Sequence, residues 1–198
     1  LTGGEPLVRP DAVDIVRDMA QLGVSLGLTT NAMTLDKHLD GLIAAGLKSI
    51  NISLDTFDAQ RFKTITRRDG FDKVHANILL ALARGLRVKV NMVVMRGVND
   101  DELLRFVELT RERNVHVRFI EFMPFAGNHW GRERVYTFSE MLGHIGSVHS
   151  FEKLTDDPHS TAKAYRVADW PGTFAVISTV TEPFCGNCDR LRLTAEGK

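Results

Sequence analysis

Two cysteines near the end of the chain, Cys185 and Cys188, are separated by Gly and Asn. Two thiolates at this spacing can bind one metal ion or one iron–sulfur cluster across a tight turn. Arg190 and Arg192 follow at once, and their planar guanidinium groups suit a phosphate or carboxylate ligand. A metal-binding pair beside an anion-binding pair is typical of a cofactor-dependent enzyme.

The cysteine pair has two other interpretations when it is taken alone. One is half of a zinc site, although no further ligand of suitable spacing follows before Lys198. The other is a thioredoxin-like redox pair, which is found where a helix begins after a strand. The residues by themselves leave these alternatives open.

The composition excludes some classes of protein. The chain has 198 residues, 43% of them hydrophobic, which is enough for one sizeable core. Its 25 basic and 25 acidic residues cancel, so we expect no nucleic acid or anionic membrane to be bound through bulk charge. No apolar run is long enough to span a bilayer. A total of two cysteines argues against a disulfide-built secreted domain and fits a reducing compartment.

Both ends of the sequence look like cuts through a longer protein. The chain opens at Leu1 without a methionine and stops at Lys198 within a predicted turn. We therefore expect further chain on both sides, and the lack of a targeting segment carries no information about the compartment.

Strand and helix patterns alternate over residues 1–124, which predicts a parallel sheet with covering helices, either open or closed into a barrel. We predict strands at residues 24–28, 49–54, 86–95 and 115–123, and helices at residues 11–21, 34–43, 59–65 and 71–84, with another that Asn99 caps. Leu22 is placed on the apolar face of the first helix. Residues 125–198 form a smaller C-terminal region, with a helix at residues 138–145 and strands at residues 165–168 and 173–179.

Polar residues collect on or just after the predicted strands, where ligands bind in parallel α/β proteins. They are Gly3, Gly4, Glu5, Thr29, Thr30, Asn31, Asn51, Ser53, Asp55, Lys89, Asn91, Arg118 and Glu121. A lysine such as Lys89 in a strand covered on both faces needs a counter-charge. Arg118 and Glu121 have the alternative interpretation of a structural ion pair. The seven histidines show no ligand spacing, and we interpret them as surface or structural residues.

Six motifs, taken in order, resemble those of the GTP 3′,8-cyclases, the radical S-adenosylmethionine (SAM) enzymes that begin molybdenum cofactor biosynthesis. The motifs are Leu1-Thr2-Gly3-Gly4-Glu5-Pro6, Thr29-Thr30-Asn31, Asn51-Ile52-Ser53-Leu54-Asp55, Val88-Lys89-Val90-Asn91, Arg118-Phe119-Ile120-Glu121-Phe122-Met123 and Phe184-Cys185-Gly186-Asn187-Cys188-Asp189-Arg190-Leu191-Arg192. Gly-Gly-Glu-Pro is shared by radical SAM enzymes in general. The combination of Arg-Phe-Ile-Glu with Cys-x-x-Cys-x-Arg-x-Arg is more specific.

The resemblance implies an α/β fold, namely a partial (βα) TIM-like barrel of the radical SAM type, truncated at its N-terminus, with a small cluster-binding region after it. It implies two [4Fe–4S] clusters, the first held by cysteines before Leu1 and the second by Cys185, Cys188 and a third cysteine beyond Lys198. The positions that match SAM contacts are Gly4, Ser53 and Met123. Those that match GTP contacts are Thr29, Lys89, Arg190, Leu191 and Arg192, and Arg118 is a further candidate.

The implied reaction converts GTP to (8S)-3′,8-cyclo-7,8-dihydroguanosine 5′-triphosphate, and no side chain need act as a general base. The resemblance also implies a homodimer that acts before cyclic pyranopterin monophosphate synthase, in the cytoplasm of a bacterium or the mitochondrion of a eukaryote. One alternative is another radical SAM enzyme with an auxiliary cluster, such as a peptide-modifying maturase. The other is a non-catalytic zinc or nucleotide-binding module. We expect the 198-residue chain to be inactive by itself.

Overall fold

The computed structural model describes residues 1–125, 127–128, 130–157, 160–182, 191 and 193–194. Within these residues the chain forms seven strands and six α-helices. The strands are β1 (Gly27–Thr30), β2 (Ser49–Ser53), β3 (Arg87–Val94), β4 (His116–Glu121), β5 (Phe151–Lys153), β6 (Lys163–Val167) and β7 (Thr173–Ile177). The helices are α1 (Ala12–Ala20), α2 (Leu35–Ala44), α3 (Ala59–Thr66), α4 (Phe71–Ala83), α5 (Leu103–Glu112) and α6 (Phe138–Gly146).

The strands form one sheet of order β1-β2-β3-β4-β7-β6-β5. The five strands from β1 to β7 in this order pair in parallel, whereas β6 and β5 add an antiparallel edge. Helices follow β1, β2, β3 and β4 along the chain, as in the predicted strand–helix alternation. The α/β fold class with a parallel sheet is therefore confirmed. The sheet continues across residue 124 because β7 pairs with β4, and the division at that residue remains a prediction.

One face of the sheet is apolar and packs beneath the helices. Successive strand residues point to opposite faces, and every second one, such as Ile50, Val90 or Phe119, is fully buried. The helices cover this face with residues such as Leu39 and Phe106, also fully buried. The strand residues between them are less buried and include Lys89 and Arg118, so this second face is called the polar face below.

The first strand is shorter than the sequence predicts. It begins at Gly27, which is the first residue of β1 to pair with β2, rather than at residue 24. Val24 is 54% exposed in the preceding loop, and Leu22 is 71% exposed beyond the end of α1 instead of lying on its apolar face. The apolar character of both residues suggested burial, but neither has a covering element. The three-residue strand β5 was too short to give a pattern.

Asn99 does not cap a helix with its side chain, contrary to the prediction. Its Oδ1 accepts from the backbone N–H of Met95, and its Nδ2 donates to the carbonyl groups of Asp55 and Val93. Asn99 is therefore a buried link between the ends of β2 and β3, and α5 begins only at Leu103. Within the part of the chain described, none of the helices has both the length and the apolar character needed to cross a membrane.

Candidate functional site

A row of polar side chains crosses the polar face, one from each of five neighbouring strands. Thr29 pairs with Asn51, Asn51 with Lys89, Lys89 with His116, and His116 with Thr173. Because paired residues point to the same face, the register brings all five side chains to one side of the sheet. Thr29 and Lys89, both predicted to contact GTP, thus lie in one row although 60 residues separate them (89 − 29).

Hydrogen bonds connect this row to the next one. Asn51 Nδ2 donates to Thr29 Oγ1 at 3.0 Å, and Arg118 Nη2 donates to Asn51 Oδ1 at 2.6 Å. Arg118 pairs in register with Asn91, which pairs with Ser53, the residue predicted to contact SAM. The amide of Asn51 therefore orients Arg118, and the second row joins the predicted SAM and GTP residues.

A buried oxygen on the polar face lacks a partner. Asn91 Oδ1 has no hydrogen-bond partner among the described residues. A buried acceptor in this state costs about 1–3 kcal/mol, so a ligand that donates a hydrogen bond at this point would recover that cost. Since Asn91 lies between Ser53 and Arg118 in register, the unsatisfied oxygen fits a polar ligand bound across the second row.

His116 is a residue of this face that the sequence analysis missed. Its Nδ1 is 2.7 Å from Thr173 Oγ1. Burial, together with the positive charges of Arg118 and Lys89, lowers the pKa of His116 to about 4. The imidazole is therefore neutral at pH 7. The signal that would have identified it is its spacing of two residues from Arg118 in a strand, which places both on the same face.

Arg118 and Glu121 do not lie on the same side of the sheet. They are three residues apart in β4, whose burial alternates residue by residue, so Arg118 lies on the polar face and Glu121 on the buried one. The interpretation of these two residues as a structural pair is wrong for that reason.

The Gly3-Gly4-Glu5-Pro6 loop is joined to the carboxyl end of β1 by the carboxylate of Glu5. Its Oε1 accepts from Thr30 Oγ1 and its Oε2 from the backbone N–H of Asn31, both at 2.6 Å. Gly3 and Gly4 have φ angles of +97° and +50°, and no atom lies within 4 Å of where a Cβ would be on either. The loop therefore exposes open backbone, which suits a close approach by a ligand.

A cavity of about 210 Å³ lies at the carboxyl ends of β1 and β2. Its lining includes Asn31, Ser53 and Asp55. Burial raises the pKa of Asp55 to about 6, although the N–H of Val93 donates to its Oδ1 at 2.8 Å and opposes the rise. Ser53, which is predicted to contact SAM, thus borders this cavity. Asn31 lines the same cavity, and its hydrogen bond to Glu5 connects the cavity to the glycine loop.

A second cavity, of about 560 Å³, lies at the opposite ends of β3 and β4. Lys89, His116 and Thr173, from the polar face, line it together with Arg87, Arg113 and apolar residues that include Leu79 and Leu82 of α4. Three residues of the first row thus border a cavity whose lining includes the cationic side chains of Arg87, Lys89 and Arg113. An anion is the ligand that such a lining favours.

Of the remaining predicted residues, Met123 and Leu191 belong to the described part of the chain and four others do not. Met123 comes two residues after β4, and its carbonyl accepts from Asn128 Nδ2 at 2.9 Å. Leu191 is fully exposed. Cys185, Cys188, Arg190 and Arg192 lie outside the described residues, so their proposed roles remain predictions.

Comparisons with known proteins point to the same family as the sequence motifs. Residues 1–110 match the Radical SAM superfamily, and residues 115–198 match Molybdenum Cofactor Synthesis C. The chain is 49% identical over 200 residues to "Molybdenum cofactor biosynthesis protein 1" of Drosophila melanogaster, covering 100% of this chain and 35% of that protein. It is 45% identical over 201 residues to "GTP 3′,8-cyclase, mitochondrial" of Arabidopsis thaliana and 45% identical over 210 residues to "GTP 3′,8-cyclase 1" of Mycobacterium tuberculosis.

The chain spans only part of these relatives. All of it aligns in the two GTP 3′,8-cyclases, of which it covers 52% and 57%. Among solved structures, a radical SAM methyltransferase from Sphaerobacter thermophilus has a TM-score of 0.59 at 18% identity, covering 93% of this chain and 52% of that one. A domain of pyruvate-formate lyase-activating enzyme from Bacteroides vulgatus has the same TM-score at 16% identity, covering 74% of this chain and 91% of that one. At these identities the likeness concerns the fold alone.

Proposed function

Because this chain belongs to the radical SAM superfamily, we propose that it forms the substrate-binding part of a GTP 3′,8-cyclase, a lyase that starts molybdenum cofactor biosynthesis. The reaction converts GTP to its 3′,8-cyclised dihydroguanosine triphosphate. Two relatives at 45% identity carry the cyclase name, and the match of residues 115–198 agrees with it. The observation that carries the proposal is the in-register set of polar and cationic side chains on the polar face.

We assign the binding of SAM to Gly4, Ser53 and Met123. The open backbone of the glycine loop and the cavity beside Ser53 support the first two. Glu5 holds the loop at the end of β1, so that loop and cavity keep a fixed relation. Met123, just beyond β4, is assigned from the family motif.

We assign the binding of GTP to Thr29, Lys89 and Arg118 on the polar face, together with Arg190, Leu191 and Arg192. A triphosphate carries several negative charges, which cationic side chains stabilise through charge-assisted hydrogen bonds. The cavity at the amino-terminal ends of β3 and β4, which Arg87 and Arg113 line together with Lys89, supports an anion beside Lys89. These contacts would fix the ribose of GTP relative to SAM, and positioning of this kind is a main contribution of a protein to radical chemistry.

Two [4Fe–4S] clusters complete the proposal. Cys185 and Cys188 would supply thiolates to the second, and the donor set fits because thiolates are the usual ligands of such clusters. When bound, the first cluster and SAM would supply the radical chemistry that joins C3′ of GTP to C8 of guanine, and Gly4, Ser53 and Met123 would hold SAM. The side chains of this chain bind and orient the reactants, and none is assigned as a catalytic acid or base.

Several further assignments come with this function. We propose that residues 1–124 form the radical SAM part and residues 125–198 the region that carries the second cluster. The enzyme would act as a homodimer before cyclic pyranopterin monophosphate synthase, without nucleic acid or membrane as a partner. Its compartment would be the cytoplasm of a bacterium or the mitochondrion of a eukaryote, and the plant relative named as mitochondrial supports the second.

The test is the replacement Lys89→Met in the product of the complete reading frame, purified anaerobically with its iron–sulfur clusters. Losing a charged hydrogen-bond donor to the triphosphate should raise the dissociation constant of GTP about 10- to 100-fold. Lys63→Met is the matched control, because Lys63 lies at the surface and pairs with Asp69. Equilibrium binding of GTP and formation of the cyclised product are both measured.

Three outcomes would overturn the proposal. Absence of cyclised product from the parent enzyme excludes the activity. SAM cleavage without any binding of GTP indicates another radical SAM enzyme, such as a peptide-modifying one. Zinc in place of iron and sulfide in the anaerobically purified protein indicates a non-catalytic module.

A further inference from the structure

The side chain of Glu121, at the end of β4, is fully buried and accepts hydrogen bonds from distant parts of the chain. Its Oε1 accepts from the backbone N–H of Phe138, at 2.8 Å, and from the hydroxyl of Thr181. Its Oε2 accepts from the consecutive N–H groups of Val180 and Thr181, at 2.7 and 2.9 Å. Thr179 Oγ1 also donates to the carbonyl of Glu121, at 3.1 Å. Backbone and hydroxyl donors thus satisfy both oxygens of a buried carboxylate.

The donors belong to two segments that β4 does not pair with. Phe138 is the first residue of α6, where unpaired N–H groups and the helix dipole favour a negative charge. Residues 179–181 follow β7, and Cys185 comes four residues after Thr181. Ser178 Oγ donates to the carbonyl of Glu182, at 2.9 Å, which closes this turn on itself. Glu121 therefore fixes the course of the chain just before the cysteine pair.

Glu121 also stands close to the ligand-binding residues along its own strand. Met123, assigned to SAM, is two residues further on, and Arg118, assigned to GTP, is three residues earlier on the opposite face. The end of β4 and the residues just after it thus include Arg118, assigned to GTP, and Met123, assigned to SAM. They also include Glu121, which holds residues 179–181 before the cysteines. A shift of that segment would change the distance between the cysteines and both ligands.

We propose that Glu121 is a positioning residue, whose carboxylate holds residues 179–181, which precede Cys185 and Cys188 in the sequence, at the carboxyl end of β4, and thereby lets the region proposed to bind the second cluster support the binding of GTP. This inference rests on the proposed function, in which those cysteines bind that cluster. The negative charge is needed because hydrogen bonds to a carboxylate are about twice as strong as neutral ones. A glutamine of the same shape has one acceptor oxygen, and its NH2 group would face N–H donors.

The experiment compares Glu121→Gln with the parent in the anaerobically reconstituted product of the complete reading frame. We expect the dissociation constant of GTP to rise at least about tenfold, whereas that of SAM stays within about twofold. We also expect loss of the change that GTP produces in the electron paramagnetic resonance signal of the second cluster. A residue with a purely structural role would affect both ligands alike.

The matched control is Glu102→Gln. Glu102 is another buried carboxylate, which accepts from the hydroxyl of Thr56, from the backbone N–H of Phe57 and from Arg61 Nη1, but it connects the loop after β2 and α3 to the start of α5. We expect this variant to lose thermal stability to a similar degree and to keep the affinity for GTP and the spectral response. Equal loss of GTP binding in both variants would overturn the proposal.

A milder variant, Thr181→Val, removes only the hydroxyl donor and decides the question if Glu121→Gln fails to fold. It should weaken GTP binding by about two- to fivefold, again without affecting SAM. Parent-like GTP affinity and spectra in a folded Glu121→Gln, or in Thr181→Val where the first does not fold, overturn the inference. Failure of the parent itself to bind GTP or to form the cyclised product would instead overturn the proposed function, so the two failures are distinguishable.

Discussion

At the scale of single residues, the imidazole of His116 makes the stability of the protein depend on pH. Its pKa is lowered from 6.5 to about 4 in the folded protein, first by burial and then by the charges of Arg118 and Lys89. Between these two values the unfolded chain binds a proton that the folded protein does not. The contribution of His116 to stability is therefore fully present above pH 6.5 and is lost as the pH falls through about 4.

Replacing His116 with glutamine should remove this dependence. A glutamine still offers a polar group to Thr173, but it does not titrate. We expect the free energy of unfolding of the parent to fall by about 2–3 kcal/mol more than that of H116Q between pH 7 and pH 4. Urea unfolding of both proteins at intervals of pH measures the difference.

Asp55 provides a control of opposite sign. Burial raises its pKa from 3.8 to about 6, so its contribution to stability is present below pH 3.8 and is lost as the pH rises through about 6. Asp55→Asn should therefore stabilise the protein at pH 7 relative to the parent, and by less at pH 4. Parallel pH profiles for the parent, H116Q and D55N would show that neither group is perturbed in the folded state.

The sequence singled out individual residues of the polar face more readily than it showed which residues lie next to them. Lys89 and Arg118 stood out because a charge within an apolar strand is unusual, and Thr29 and Ser53 followed from the family motifs. His116 was within reach of a local pattern, its spacing of two residues from Arg118, but the bridge that Asn51 forms depends on the register of strands that are far apart in sequence. No local pattern contains that register.

At the scale of elements, the contact between α5 and the start of β7 leaves no room for a side chain at Gly172. A Cβ on this residue would lie 2.6 Å from the carbonyl oxygens of Arg113 and Val115 and 2.8 Å from Thr110 Cβ. The N–H of Gly172 donates to the carbonyl of Thr110, at 3.0 Å. The glycine therefore allows β7 to enter the sheet directly beside the start of β4.

Gly172→Ala should destabilise the protein by about 1–3 kcal/mol, because backbone atoms must move apart to admit the methyl group. Gly143→Ala is the matched control: it lies within α6, and no atom lies within 4 Å of where its Cβ would be. Alanine there should stabilise the helix by about 0.5–1 kcal/mol. Denaturant unfolding gives both values. An unchanged free energy of unfolding in Gly172→Ala would contradict the close approach of the two carbonyl oxygens to Gly172.

The helices were predictable from their apolar periodicity, and the strand boundaries less so. Leu103, Phe106 and Val107 are all buried in α5, as their spacing predicts. Val24 looked like the start of a strand, yet a strand extends only as far as its partner does, and β1 first pairs at Gly27. Where the pairing with a neighbouring strand decides the length of a strand, a single sequence carries little information about that length.

At the scale of the whole molecule, this chain supplies too few thiolates for the proposed chemistry. It contains two cysteines in 198 residues, whereas the two proposed [4Fe–4S] clusters need more than two thiolates. We therefore expect the isolated chain, given SAM and a reductant, to release no 5′-deoxyadenosine above a blank. The product of the complete reading frame should release it under the same conditions. Measurable release by the isolated chain, detected by liquid chromatography, would contradict this expectation.

The position of β7 between β4 and β6 governs how the sheet can be completed during synthesis. A nascent chain that has left the ribosome only as far as residue 150 already contains β4, but its second neighbour, residues 173–177, is still to come. Val117 and Phe119 then sit in a strand with one open side, which is the kind of surface that chaperones protect and that promotes aggregation. Ribosomes that pause over residues 150–175 would prolong that exposure, so the yield of soluble protein should depend on codon speed in this interval.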